Sequence, residues 1–441
     1  MPQSPSAASR DEPVIRDRGD ACPGALRLHA ADDGFLARVR IPGGMLGGAA
    51  ARLLADAADR LGDGHLDLTS RGNVQLRGLG ESCGGELAAL LAGVGLLPAP
   101  THERVRNIVS SPLAGLDRLG LPDVSPWVAE LDALLCASDA AAGLSGRFLF
   151  ALDDGRGDVS SLDADVNLAP CGGGSARLWA GDPREAVLVS SQDAPRAALT
   201  AAEYFLDTVR QAGTRAWRVA ELPPEHALSG ARLTQRLADA GVRAAVAAPA
   251  PGPSARSVGA PEPGIVPGPD GTAALSVLAP LGRLTTAQWR RLAGLTDRVR
   301  LTPWRGIVVP GLPGHAAAAA LAGLAETGLV TAPDSPWRSV TACTGKPGCA
   351  KALADVRADA RAVMERARGP LAVHWSGCER RCGHPRGSAW VDLVATPAGY
   401  DLHVEGRAPR RGVPEQELAP ALADARHADH VRHHLPDSVQ K

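Results

Sequence analysis

Residues 342 to 386 carry four cysteines in two pairs, beginning Ala342-Cys-Thr-Gly-Lys-Pro-Gly-Cys349 and ending Cys378-Glu-Arg-Arg-Cys-Gly-His-Pro-Arg386. Five residues separate the first two cysteines, and three separate the last two. Structural zinc sites usually pair cysteines at a spacing of about two to four residues, whereas a cubane iron–sulfur cluster needs one thiolate per iron and accepts wider spacing. The pattern favours a 4Fe-4S cluster over four ordinary buried cysteines. The expected ligands are Cys343, Cys349, Cys378 and Cys382.

The residues around these cysteines predict how they are presented. Gly345, Pro347 and Gly348 oppose a regular helix, so a loop with backbone N–H groups free to face sulfur is expected. From Cys349 to about residue 367 the Ala-rich sequence has apolar residues at helical spacing and predicts a helix. Leu371-Ala-Val-His-Trp375 predicts a short buried strand leading to the second pair.

The second informative feature is an internal repeat. Leu66-Asp-Leu-Thr-Ser-Arg-Gly-Asn-Val-Gln-Leu-Arg-Gly-Leu79 is echoed by Val299-Arg-Leu-Thr-Pro-Trp-Arg-Gly-Ile-Val-Val-Pro-Gly-Leu312. Each copy follows a predicted strand and helix, and residues 35 to 91 give the order βαββα. A period this long is no solenoid and indicates a duplicated half. The predicted fold class is α+β, with helices on one face of each antiparallel sheet.

Composition excludes several classes of function. The net charge of −1 over 441 residues lacks the polycationic signature of a nucleic-acid binder. The sequence contains no apolar run of about 18 residues, so we expect no membrane span and a cytoplasmic protein. Eight cysteines in a chain of this length do not form a disulfide framework.

The two cysteine pairs resemble the cluster signature of the sirohaem sulfite and nitrite reductase family. That resemblance implies two ferredoxin-like units and two larger α/β units, related by pseudo-twofold symmetry around a tetrapyrrole site. The domains expected in chain order are a disordered arm (1–20), ferredoxin-like half-domain 1 (21–98), α/β domain 1 (99–243), a Pro/Gly/Ala-rich linker (244–271), ferredoxin-like half-domain 2 (272–330), the 4Fe-4S-binding α/β domain 2 (331–426) and a tail (427–441).

The resemblance also implies which segments face the tetrapyrrole: 69–75, 301–306 and the Asn-Ile-Val-Ser-Ser-Pro-Leu-Ala-Gly run that ends at Gly115. Acidic tetrapyrroles are ringed by carboxylates, and arginine forks suit carboxylates through paired hydrogen bonds. The tetrapyrrole-binding residues expected on this basis are Arg71, Gln75, Arg77, Arg106, Asn107, Arg147 and Arg305.

One departure from the family separates two activities. Where reductases of the family carry a segment resembling Leu-Pro-Arg-Lys-Phe-Lys, this chain has Leu144-Ser-Gly-Arg-Phe-Leu149. Reducing a small anion needs cations that hold the anion and deliver protons, and here the second is replaced by Leu149. The Pro303-Trp-Arg305 and Cys382-Gly-His-Pro385 segments are more similar to the tetrapyrrole oxygenases of cobalamin synthesis within the family.

That similarity implies O2-dependent hydroxylation and lactone formation on precorrin-3A. NADH is the expected ultimate reductant. Gly78-Leu-Gly80 and Gly93-Val-Gly95 lack the third glycine of a dinucleotide-binding turn, so a separate electron donor is expected. A sirohaem-dependent sulfite or nitrite reductase and a non-enzymatic iron–sulfur sensor are the alternatives.

Two histidines flank the second cysteine pair. His374 and His384 can ligate a mononuclear non-haem iron, the alternative being a core histidine and a loop histidine. Four histidines near the chain end, at positions 427, 430, 433 and 434, are better explained by a solvated tail than by a metal site.

Overall fold

The computed structural model describes residue 20 and residues 22–248, 259–385 and 390–427 of the chain. The predicted arm and tail lie almost wholly outside those residues, as do His430, His433 and His434. In the part of the chain that is described, no helix has both the length and the apolar character needed to cross a membrane.

The first half-domain contains the predicted βαββα unit and two additional short strands. Its elements are β1 (His29–Ala31), β2 (Gly34–Val39), β3 (Met45–Gly47), α1 (Gly48–Leu61), β4 (His65–Leu68), β5 (Val74–Leu79) and α2 (Gly84–Gly93). Strand alternation divides the sheet into two faces, since Leu66, Leu68 and Leu76 are buried in the core while Asp67 and Gln75 point the other way.

The first α/β domain follows, with a six-stranded mixed sheet in the order β11-β10-β9-β8-β7-β6. Its elements are β6 (Ile108–Ser110), α3 (Ser125–Ala137), β7 (Phe150–Leu152), β8 (Val166–Pro170), β9 (Ser175–Ala180), β10 (Val187–Ser190), α4 (Ala194–Gln211), α5 (Gly230–Asp239) and β11 (Ala244–Val246). Helices α3 and α4 pack together over a core that includes Phe148, Phe150 and Phe205.

The second half-domain repeats the first. It consists of β12 (Gly264–Pro267), β13 (Thr272–Leu278), β14 (Arg283–Thr285), α6 (Thr286–Ala293), β15 (Arg298–Leu301), β16 (Gly306–Pro313) and α7 (Gly314–Ala325). The two halves exchange a strand: their sheets run β1-β2-β5-β4-β14 and β12-β13-β16-β15-β3. One hydrophobic core spans both halves, and Trp289 in α6 donates to the carbonyl of Ala51 in α1 at 2.7 Å. The predicted duplication is confirmed.

The domain that carries the cysteines has a sheet in the order β17-β18-β19-β20-β21. Its elements are β17 (Val340–Ala342), α8 (Val356–Val363), β18 (Ala372–Ser376), β19 (Trp390–Thr396), β20 (Gly399–Val404), β21 (Arg410–Val413) and α9 (Glu415–Arg426). The first three strands are parallel and the last three antiparallel, around a core with Met364, Trp375 and Leu422.

Two local predictions differ from the structure. The helix expected from Cys349 begins only at Val356, because Lys346 and Leu353 donate backbone hydrogen bonds to Ala354 and Gly377 and keep residues 350–354 in a loop. The predicted linker 244–271 contains β11 and β12, each paired with a neighbouring strand, so both sheets extend into it.

Candidate functional site

The parallel strands β17 and β18 bring the two cysteine pairs to one edge of the sheet. Cys343 directly follows β17 and Cys378 lies two residues beyond β18. Carboxyl ends of neighbouring parallel strands meet at the same edge, which is where irregular loops form binding sites. The backbone N–H of Gly377 donates to the Sγ of Cys343 at 3.1 Å, so the second loop already contacts the first cysteine.

The donor set fits a 4Fe-4S cluster. All four cysteines are free thiols, and Cys343 is close enough to Cys378 and Cys382 for their charges to act on it. Burial raises the pKa of Cys343, and the N–H of Gly377 opposes that rise by stabilising the thiolate, the form that binds iron. The two loops pack closely at Gly377, where a Cβ would lie 2.7 Å from the Cβ of Ala352, so only glycine fits there.

A cavity of about 1000 Å³ lies beside the second cysteine pair. It is bordered by both repeats through Arg71, Trp304 and Arg305, by the first α/β domain through Leu149, and by the cysteine loop through Gly383 and His384. This volume is at the upper end of the range for small-molecule sites, about 300–1,000 Å³. A ligand there would contact two of the three segments that the family resemblance assigns to the tetrapyrrole, 69–75 and 301–306; the run that ends at Gly115 does not line the cavity.

The two turns that reach this cavity have the same hydrogen bonds. The Oγ1 of Thr69 accepts from the N–H of Asn73 at 3.1 Å, and the Oγ1 of Thr302 accepts from the N–H of Gly306 at 3.0 Å. In each turn the threonine N–H also donates to the carbonyl of the fifth residue, at 2.9 Å in both copies. The third residue of each turn, Arg71 in the first copy and Trp304 in the second, therefore projects from the same backbone position.

Three arginines on the cavity wall have no carboxylate partner among the described residues. Arg71 donates only to the carbonyls of Gly146 and Arg147, at 3.0 and 2.8 Å, and burial together with nearby Arg218 lowers its pKa to about 10. Arg426 donates to backbone carbonyls and to Ser339.

The third is Arg305, whose guanidinium makes no hydrogen bond or ion pair within the described part of the chain, and burial lowers its pKa. Together these cations give the cavity an affinity for anionic ligands.

Sequence reasoning missed four further arginines of the cavity wall: Arg218, Arg338, Arg368 and Arg426. One of them carried a readable signal, because Pro336-Trp-Arg338 repeats the Pro303-Trp-Arg305 tripeptide. The others come from loops and a helix end whose approach to the cavity depends on domain packing.

Two predicted tetrapyrrole-binding residues on β5 are directed elsewhere. Gln75 accepts from Arg38 at 3.1 Å, and Arg77 is paired with Asp33 at 2.8 Å and donates to the carbonyl of Gly348. Neither lines the cavity, because the polar face of this sheet packs against the loop between Cys343 and Cys349.

Three more predicted residues, from the first α/β domain, also lie off the cavity wall. Arg106 forms a double hydrogen bond with Asp132 at 2.7 and 2.6 Å, and Asn107 donates to the carbonyl of Gly146. Arg147 turns toward Glu221 at 3.6 Å and stacks over Trp217. Each already has partners that satisfy it, so of the seven predicted residues only Arg71 and Arg305 reach the cavity.

The structure brings the two predicted iron-binding histidines together. Their ring centroids are 5.2 Å apart. His374 is fully buried, bonded through Nδ1 to Thr341 at 2.8 Å, and its Nε2 has no partner in the described residues. Burial and nearby His384 lower the pKa of His374 to about 4, so it is a neutral imidazole. The Nε2 of His384 lies 3.0 Å from Asp392. A neutral Nε2 without a hydrogen bond on His374 fits a metal ligand, whereas the Nε2 of His384 already lies against the Asp392 carboxylate.

Comparison with known proteins agrees with this architecture. The profile of the nitrite/sulfite reductase ferredoxin-like half domain matches the chain twice, at residues 28–93 and 266–327. The solved structure of the NirA protein of Mycobacterium tuberculosis superposes with a TM-score of 0.67 at 21% identity, covering 88% of this chain and 79% of that one, and shows the same fold. The chain therefore carries two copies of that half domain and shares the fold of NirA.

Over most of its length the chain is similar to proteins of two activities. A precorrin-3B synthase of Sinorhizobium sp is 29% identical over 432 residues, which covers 93% of this chain and 88% of the relative. The ferredoxin–nitrite reductase of Synechococcus elongatus is 28% identical over 388 residues, covering 80% of this chain and 74% of that protein. Identity alone therefore does not choose between the two activities.

Proposed function

We propose that this chain is an oxidoreductase of the precorrin-3B synthase type, which hydroxylates precorrin-3A with O2 and closes a lactone during cobalamin synthesis. The similarity to the precorrin-3B synthase extends over almost the whole chain and supports this choice. The Pro303-Trp-Arg305 and Cys382-Gly-His-Pro385 segments, on which the sequence resemblance rested, both border the cavity.

The observation that carries the proposal is the wall of the cavity at Leu149. Reduction of nitrite or sulfite needs cations at this position to hold the anion and supply protons. Here Leu149 presents an apolar side chain to the cavity, and the neighbouring cation, Arg147, is engaged by Glu221 and Trp217. A wall without those cations suits a large organic substrate better than a small anion.

The cations that do line the cavity suit the carboxylates of precorrin-3A. Arg71, Arg305 and Arg426 carry positive charges that form no ion pair with a described carboxylate. A hydrogen bond to a charged group contributes about 1.5–3 kcal/mol, so a few such contacts account for tight and oriented binding. We propose that Arg71 and Arg305 hold substrate carboxylates and fix which ring carbon faces the iron side of the cavity.

The four cysteines are the proposed ligands of a 4Fe-4S cluster, and His374 and His384 the proposed ligands of a mononuclear iron. When bound, the cluster supplies single electrons and the iron supplies O2 activation. The chain's own part is to hold the substrate within reach, exclude bulk water and keep His374 neutral by burying it. In the reductase alternative a sirohaem would occupy the cavity instead.

The reaction needs an outside source of electrons. One oxygen atom of O2 enters the product and the other leaves as water, which consumes two electrons and two protons. We propose a separate NADH-linked protein as the donor and the cytoplasm as the location.

The decisive experiment is an anaerobic visible and EPR spectrum of the purified chain, followed by addition of precorrin-3A, reductant and ¹⁸O2. A cluster spectrum without a haem Soret band, and a product that gains one labelled oxygen, would support the synthase. A sirohaem spectrum with nitrite- or sulfite-dependent oxidation of the reductant would instead support the reductase. A cluster spectrum with no turnover of any of these substrates would favour the sensor.

A further inference from the structure

Two arginine–aspartate pairs, each with its aspartate in the first half-domain, contact the loop between Cys343 and Cys349. We infer that Arg77 and Arg357 are positioning residues, which hold this loop in shape, and that Asp33 and Asp67 balance their charge and thereby set the cluster's reduction potential. The inference rests on the proposed 4Fe-4S cluster, but it is independent of whether the chain is an oxygenase or a reductase.

The first pair is at the Cys349 end of the loop. The guanidinium of Arg77, on β5, is 5% exposed and makes a double hydrogen bond with Asp33 at 2.8 Å on both arms. The same Nη2 donates to the carbonyl of Gly348 at 3.1 Å, one residue before Cys349. A Cβ at Gly348 would lie 2.7 Å from Asp33 and 2.8 Å from Arg77, so glycine is needed for this close approach. Asp32 adds a hydrogen bond from the N–H of Ala350.

The second pair is at the Cys343 end. Arg357, in α8, donates through Nη1 to Asp67 of β4 at 2.8 Å and through Nε to the carbonyl of Cys343 at 3.3 Å. Asp67 is buried and is also held by Arg283 of β14 at 3.0 Å. Because β4 belongs to the first half and β14 to the second, this carboxylate joins both halves to the first cysteine.

Comparison of the two repeats indicates that these charges are not a requirement of the fold. Directly opposed residues form one row across each sheet. The row in the first sheet is Arg38, Gln75, Asp67 and Arg283. The equivalent row in the second sheet is Ser276, Val308, Arg300 and Met45. Where the first sheet has Asp67 the second has Arg300, which instead donates to the carbonyls of Pro112 and Ala114. The acidic and basic pattern is thus specific to the sheet that faces the cysteine loop.

The charge of each pair has a predictable effect on the cluster. A cluster with four thiolates is anionic and becomes more so on reduction, so a nearby uncompensated guanidinium favours the reduced form. Asp67 offsets the charge of Arg357, and Asp33 offsets that of Arg77. Replacing the aspartate removes the offset while the arginine can stay in place.

The test uses the full chain reconstituted anaerobically with iron and sulfide. We expect Asp67→Asn to shift the cluster's midpoint potential, measured by EPR redox titration, to a more positive value. We expect Arg77→Ala to speed loss of the cluster's visible absorbance to a chelator by about tenfold, the scale seen when outer-shell partners of metal ligands are removed. Arg77→Lys, which keeps the charge but not the fork, should fall between Arg77→Ala and the wild type. The matched control is Asp56→Asn, which breaks an exposed pair with Arg290 on the helical side of the sheets and should change neither quantity.

The outcomes separate the two claims. A wild-type chain that binds no 4Fe-4S cluster would overturn the proposed cluster and this inference with it. A wild-type chain with a normal cluster, together with an unshifted potential in Asp67→Asn and wild-type chelation rates in Arg77→Ala, would overturn the inference alone. Circular dichroism of each variant identifies any that fail to fold. If Arg77→Ala fails to fold, the midpoint potential of Asp67→Asn, in which the side-chain volume hardly changes, decides the test.

Discussion

Gly72 and Arg305 occupy the same position in the two repeated turns, with φ angles of 65° and 60°. Glycine adopts this left-handed backbone without strain, whereas arginine does so at a cost of about 1 kcal/mol or more. A Cβ at Gly282 would lie 2.5 Å from the Cδ of Arg305, so the strained side chain lies across a glycine kept free for it. The strained backbone at this position of the second repeat places the guanidinium of Arg305, which has no ion-pair partner among the described residues, on the cavity wall.

Replacing Arg305 with glycine should therefore separate stability from binding. We expect Arg305→Gly to raise the stability of the cofactor-free chain by about 1 kcal/mol by relieving the backbone. It should also weaken precorrin-3A binding by about tenfold or more by removing one charged contact. Thermal unfolding and equilibrium binding measure the two effects. Arg305→Ala, which keeps the strain and loses the cation, is the control; unchanged binding in both variants would contradict the assigned role.

The apolar wall at Leu149 gives a second prediction. Leu149→Lys introduces a cation where the reductase-like segment carries one, and we expect precorrin-3A turnover to fall about tenfold or more because burying a charge in this apolar part of the wall is costly. Leu149→Met preserves volume and apolar character, and should keep turnover within about threefold. Steady-state oxygenation assays distinguish them. If the Met variant were impaired as badly as the Lys variant, the wall would be selecting for shape and not for charge.

Loss of any cluster cysteine should remove the cluster. We expect Cys343→Ser and Cys382→Ser to abolish the visible absorbance and EPR signal of the reconstituted cluster, because serine supplies no thiolate to iron. Cys171→Ser, an exposed cysteine in the first α/β domain, should retain the full iron and sulfide content. Iron and acid-labile sulfide analysis provides the measurement, and a full complement in Cys343→Ser would remove that residue from the ligand set.

Stability should depend on pH through a buried carboxyl group in the first α/β domain. Burial raises the pKa of Asp158 to about 7, against the hydrogen bonds it accepts from Ser111 and Val159. A folded-state pKa above the unfolded value means that the stabilisation is complete below about pH 4 and is lost as the pH rises through 7. Asp158→Asn keeps an acceptor oxygen and should lose this pH dependence, with a gain in stability at pH 8.

Unfolding midpoints across pH 4 to 8 provide the check on Asp158. Glu130→Gln, an exposed residue in α3, is the charge-matched control and should follow the wild-type curve. An Asp158→Asn variant that also followed the wild-type curve would show that the carboxyl group titrates normally.

The sequence could reveal the duplication because both copies keep a hydrophobic alternation and a threonine-initiated turn of the same length. Leu66, Leu68 and Leu76 correspond to Val299, Leu301 and Val309, and all are buried. The sequence also indicates where the two cysteine pairs lie, because a loop rich in Gly and Pro follows the first pair's strand and a buried strand precedes the second pair. These are local signals, carried by side-chain period and backbone conformation.

The sequence does not predict which polar side chains face the cavity. Arg71 and Arg77 lie six residues apart on one hairpin, yet one reaches the cavity and the other holds the Gly348 carbonyl. The packing of the cysteine domain decides between them, and no pattern in the hairpin specifies that packing. Arg77 and Gly348, which are in contact, are 271 residues apart in the sequence.

The exchange of β3 and β14 makes the two halves into obligate partners. Each sheet ends in a strand from the other half, so a polypeptide stopping at residue 248 would expose an unpaired β4 edge, and one starting at residue 259 would expose an unpaired β15 edge. Expressed alone, each fragment should aggregate; expressed together, they should assemble into one molecule. The two halves can therefore be encoded on separate polypeptides, but neither is expected to fold without the other.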